Sequence, residues 1–138
     1  ETYEGGGHAY HATMPTDSLR RLRDLMVETE RFGFERAREQ QIELGRRVRA
    51  LLAERGFPSV AAPGFEAPCV VVSYTTDADL VTKFAKAGAQ VAAGVPLQCG
   101  EPADYRAFRI GLFGLDKLGD VDGTVARLSA KLAQATGK

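Results

Sequence analysis

Residues 17–55 spell two helices back to back, and then the period of the chain changes. Leu19, Leu22, Leu25, Met26 and Thr29 recur at helical spacing, which predicts an amphipathic helix over 17–31. Pro15-Thr16-Asp17 punctuates its start, with Thr16 or Asp17 placed to accept from the first free N–H groups. Gly33 breaks the pattern. A longer helix is predicted over 34–55, its apolar face formed by Phe34, Ala37, Ile42, Leu44, Val48, Leu51 and Leu52. Gly56 stops it and Pro58 prevents resumption. From there the grammar is β: Pro68-Cys69-Val70-Val71-Val72-Ser73-Tyr74 is a β-branched run between breakers, hence a mostly buried strand. Asp77-Ala78-Asp79-Leu80 opens a short helix that Gly88 closes, and Gln90–Ala93 reads as a second strand. A Gly/Pro-rich loop from Gly94 to about Pro102 leads to a third strand at Ala107–Phe113, and a last helix starts near Asp120. This order predicts an α+β fold: a small, mainly antiparallel sheet of about three strands, covered on one face by helices. Residues 1–16, with Gly5-Gly6-Gly7, read as an extended arm, and 17–138 as one small domain.

The totals exclude several functions. The 138 residues suit a single domain that buries roughly two-thirds of its unfolded surface. Eighteen basic and 18 acidic residues cancel, so no net positive field gathers nucleic acid or an anionic membrane. No apolar run is long enough to span a bilayer. Arg36, Arg38, Arg46, Arg47 and Arg49 resemble a basic patch, but Glu35, Glu39, Glu43 and Glu54 sit among them at helical spacings, so a solvated, ion-paired face is expected. Cys69 and Cys99 lack CxxC spacing and read as idle or buried thiols, with a disulfide between them left open.

Three groups of residues could carry chemistry. His8 and His11 are the only histidines; a metal needs three or four ligands, and Glu4 and Asp17 do not complete a recognised spacing, so no metal site is expected. Gly5-Gly6-Gly7-His8 follows no strand and opens no helix, so it is not a phosphate loop of a known type. Tyr10 and Thr13 offer hydroxyls just before a helix N-terminus, where orphan N–H groups favour anions; two polar side chains on a terminal arm is the plainer reading. Arg109 stands in a strand among Phe108, Ile110, Leu112 and Phe113, with Gly111 and Gly114 close by. Its planar fork matches a carboxylate or phosphate, and a solvated ion pair with Asp116 or Glu101 fits the same pattern.

Tyr10-His11-Ala12-Thr13-Met14-Pro15, two consecutive helices, and Phe108-Arg109-Ile110-Gly111-Leu112-Phe113-Gly114 at the last strand together resemble the C-terminal portion of class V, fold-type I pyridoxal-phosphate aminotransferases, the alanine–glyoxylate and serine–glyoxylate group above all. The resemblance runs over nearly the whole chain in the same order. It implies that Arg109 clamps the substrate carboxylate. It also implies that Tyr10 and Thr13 contact the cofactor phosphate across the interface of a homodimer. The reaction implied is amino transfer between a small amino acid, alanine or serine, and an oxo acid such as glyoxylate or pyruvate. The loop Val95-Pro96-Leu97-Gln98-Cys99-Gly100-Glu101-Pro102-Ala103-Asp104-Tyr105 departs from the short glycine-rich turn of the alanine–glyoxylate enzymes and leaves the substrate side chain unassigned. The family's large N-terminal domain is missing from this sequence, and with it the Schiff-base lysine. None of Lys83, Lys86, Lys117, Lys131 or Lys138 has a context to replace it, so no catalytic residue is assigned in this chain and the chain alone is expected to be inactive.

The opening Glu1-Thr2-Tyr3-Glu4 carries neither an initiator methionine nor a signal sequence, which suggests part of a longer polypeptide. The ending Thr136-Gly137-Lys138 is not a peroxisomal address, so a cytoplasmic location is expected. Two rivals from other classes remain: a stand-alone module that binds an acidic metabolite through Arg109, and a dimerisation module without a ligand.

Overall fold

The computed structural model describes residues 4–7 and 13–137, which fall into two compact units, one ending at Phe34 and the other beginning at Glu35. The first unit is built on helix α1, Thr16–Phe32. Its N-cap is Pro15, whose carbonyl accepts from Leu19 N at 3.0 Å, and no side chain caps it. The expectation of a Thr16 or Asp17 cap is thus corrected: the helix begins one residue early and takes both residues into its first turn. Gly33, at φ +96°, ends it as expected, its N–H donating to Thr29 O. No residue of α1 is buried, and Leu19, Leu22, Leu25 and Met26 form an exposed apolar stripe.

The second unit holds most of α2, Phe34–Glu54, then β1, Val70–Tyr74, and α3, Leu80–Lys86. After these come β2, Ala92–Ala93, β3, Ala107–Gly111, α4, Leu115–Leu118, and α5, Val121–Thr136. The three strands form an open antiparallel sheet in the order β1-β3-β2. The α+β architecture read from the sequence is the one observed. Its strands are shorter than expected: β2 has two residues, and β3 ends at Gly111 because Gly114, at φ +114°, turns the chain into α4, a helix the periodicity does not reveal.

The core lies on one face of the sheet. Val71, Phe108 and Ile110 point there, and Phe108 meets Phe57 edge-on at 5.4 Å and Phe84 of α3 at 6.0 Å. Leu44, Val48, Leu52, Leu80 and Leu132 complete it. Gly56, at φ +83°, closes α2 in a Schellman arrangement: Gly56 N donates to Ala53 O and Phe57 N to Leu52 O, which turns Phe57 back onto Phe108. Within α2 the expected apolar face is partly corrected, since Ile42 and Phe34 are exposed and Gly45 is buried instead. At Gly45 the helix runs against Pro68, so close that a Cβ would stand 2.5 Å from the Pro68 carbonyl oxygen. Asp120 caps α5, its carboxylate accepting from Gly123 N at 2.9 Å, and that contact holds the carboxyl below its ordinary pKa.

Candidate functional site

Strand alternation decides the placement of Arg109. Its neighbours Phe108 and Ile110 enter the core, so a period of two sends Arg109 to the opposite face. There it stands between Val72 of β1 and Ala92 of β2 in register. The side chain lines a cavity of about 450 Å³ on the open face of the sheet. Val70 and Val72 share that face of the sheet, and Val60, Phe65, Val95 and Leu97 line the cavity with Tyr105 and Arg49. Gly94 permits the close approach of the loop, because a Cβ there would lie 2.6 Å from that of Ala107.

Neither acidic partner foreseen for Arg109 takes that part. Asp116 pairs with Lys117 at 3.3 Å, and Glu101 accepts from Leu97 N at 2.6 Å and Cys99 N at 2.8 Å. Its own backbone amide and then that of Leu97 hold the Glu101 carboxyl below its usual range. Among the described residues Arg109 makes no hydrogen bond or ion pair. An unspent guanidinium fork above an apolar floor is suited to receive a carboxylate with two parallel N–H···O bonds.

Arg49, expected on the solvated face of α2, is turned inward. Its Nη2 donates to Ala67 O at 2.6 Å and to Val70 O at 3.1 Å, and Nη1 donates to Gly45 O at 3.3 Å. Nε is buried without a partner, and burial lowers the guanidinium pKa. Arg49 thus ties α2 to the segment entering β1 and fixes one rim of the cavity. The residue was legible in principle: it lies one helical turn beyond Gly45, a glycine in mid-helix that signals close packing. Arg46 binds Glu43 at 2.8 Å and Arg38 lies 4.0 Å from Glu35, pairs within the helix as expected, whereas Arg47 reaches out of the helix to Asp122 of α5.

Thr13 is exposed and lies three residues before the start of α1; Tyr10, His8 and His11 lie outside the described residues. Among the described residues no group of three or more His, Cys, Asp or Glu could hold a metal ion, and no lysine lines the Arg109 cavity. Lys83 is held by Asp77 at 2.6 Å, which raises the lysine pKa and lowers that of the carboxyl. Cys69 and Cys99 are both free thiols, the first half-buried and the second exposed. No helix among the described residues is long and apolar enough to cross a membrane.

The sequence matches no family model and no curated protein. Solved structures do share the fold. An alanine–glyoxylate aminotransferase from Nostoc sp. superposes with a TM-score of 0.70 at 17% identity, over 92% of this chain and 33% of that one. A serine palmitoyltransferase from Sphingomonas wittichii superposes with a TM-score of 0.55, also at 17% identity, over 72% of this chain and 24% of that one. The chain therefore has the fold of a part of these enzymes and spans about a third or less of their length.

Proposed function

We propose that the chain is the small C-terminal domain of a class V pyridoxal-phosphate aminotransferase that moves an amino group between alanine or serine and an oxo acid such as glyoxylate or pyruvate. The observation that carries this reading is Arg109, without a partner among the described residues, in a cavity on the open sheet face, within a fold shared with an alanine–glyoxylate aminotransferase. Arg109 binds the α-carboxylate common to donor and acceptor and so orients either substrate in the same way. Residues 1–16 act as an arm, and 17–138 as the small domain. Tyr10 and Thr13 donate hydroxyls to the cofactor phosphate of the neighbouring subunit in a cytoplasmic homodimer, where each charge-assisted bond contributes about 1.5–3 kcal/mol.

Pyridoxal phosphate, when bound, supplies the electron sink for amino transfer. This chain's residues fit the substrate side of such a site. They do not supply the cofactor's lysine, since no lysine lines the cavity. That lysine belongs to a large domain of the whole enzyme, and the chain alone is inactive. In the full-length protein, Arg109→Ala raises KM for both donor and acceptor and leaves cofactor affinity nearly intact; unchanged KM values would remove Arg109 from the site. Thr13→Ala weakens retention of pyridoxal phosphate in a dialysis measurement, and equal retention would count against the arm.

A further inference from the structure

The loop at 95–105, which fits no expected turn, contributes Val95, Leu97 and Tyr105 to the lining of the Arg109 cavity and is tied by hydrogen bonds. Gln98 adopts φ +60°, a left-handed conformation that costs a non-glycine residue free energy, and Gly100 follows at φ +89°. Glu101 holds this turn closed with both carboxylate oxygens, one on Leu97 N and one on Cys99 N. The outcome is that Leu97, 74% exposed, is presented beside Val95 at the cavity, while Phe65, 84% exposed, is presented from the segment before β1.

The charge inventory is equally selective. Among the described residues Arg109 is the cation of the cavity without a partner; Arg49 spends both Nη2 hydrogens on Ala67 O and Val70 O. No Asp or Glu lines the cavity, and Tyr105 is its one uncharged polar side chain among the described lining. A ligand with one carboxylate is therefore matched. A second carboxylate would find no second free cation, and a hydroxyl among Val60, Phe65, Val95 and Leu97 would lose hydrogen bonds to water.

From this we infer the substrate class: the Arg109 site takes 2-oxo acids and amino acids with one carboxylate and a hydrocarbon side chain, which lies against Val95, Leu97 and Phe65. The inference rests on the reading of Arg109 as a carboxylate clamp and narrows its substrates. Side chains longer than methyl gain affinity, roughly fourfold per methylene buried. Hydroxylated substrates, serine among them, and dicarboxylates do not, so of the two proposed donors the inference keeps alanine.

Calorimetric titration of the full-length protein with glyoxylate, pyruvate, 2-oxobutyrate, 2-oxo-4-methylpentanoate and 2-oxoglutarate tests it, alongside the variants Leu97→Asn and Arg109→Gln. The expected result is affinity rising from glyoxylate to 2-oxo-4-methylpentanoate, with 2-oxoglutarate no better than pyruvate. Leu97→Asn should flatten the rise, and the exposure of Leu97 spares the fold. A flat series, a preference for 2-oxoglutarate, or a rise that survives Leu97→Asn would overturn the hydrocarbon specificity. If Arg109→Gln still weakens every ligand in those cases, the clamp stands. Affinities indifferent to Arg109→Gln would remove the clamp and the specificity together.

Discussion

The two faces of the same three-stranded sheet differ more than any two elements of the molecule. On one, Val71, Phe108 and Ile110 are buried beneath helices and aromatic rings; on the other, Val70, Val72 and Arg109 look into an open cavity. Adjacent residues of β3 belong to opposite worlds, Phe108 to the core and Arg109 to the site. The lesson is a division of labour at single-residue resolution. The core face carries the buried apolar contacts, and the open face holds a cation that has no partner among the described residues.

Substitutions can break that division. The largest effect is expected on the core face: Phe108→Ala, which removes a fully buried ring and two aromatic contacts, costs about 3–5 kcal/mol in a urea titration. A loss below about 1 kcal/mol would mean that the two faces are not energetically distinct. Gly45→Ala comes next. In a helix interior this exchange ordinarily stabilises by about 1 kcal/mol, yet here the new methyl meets the Pro68 carbonyl, so a net loss of about 1–3 kcal/mol is expected. Stabilisation would show that α2 and the start of β1 are not held tightly, and the rim built by Arg49 would lose its support.

Arg109→Gln should change stability by less than about 0.5 kcal/mol, because the side chain is exposed and has no partner among the described residues. A large loss would assign Arg109 to structure instead of binding. The smallest effect is a pH dependence. The Asp120 carboxyl is held below its ordinary value by Gly123 N, so its contribution is complete above the unfolded carboxylate pKa, about 3.9, and fades as pH falls through the lower folded value. Asp120→Asn, which keeps a capping oxygen but cannot ionise, should flatten that part of the acid-stability profile. An unchanged profile would show that other carboxylates set it.

Much of this was legible in the linear pattern because it depends on neighbours in sequence. The helical spacing of Leu44, Val48 and Leu52, the stop at Gly56 and the β-branched run Val70–Val72 all report local backbone preference, and the corresponding elements are present. The same spacing put Ile42 and Phe34 on a buried face, because periodicity identifies an apolar stripe without saying what covers it. Arg109 was legible as an anomaly. Whether it was spent on Asp116 or Glu101 was not, since that depends on where two loops bring their carboxylates.

By itself the sequence determined the class of the fold, the order of its elements apart from α4, and the one arginine worth following, all consequences of side-chain period and turn chemistry. Only the tertiary structure decided that Glu101 is consumed by its own loop, that Arg49 turns inward to bind carbonyl groups, and that Leu97 and Phe65 line the same cavity as Arg109. Those outcomes depend on distances between residues far apart in the chain, which no local pattern encodes.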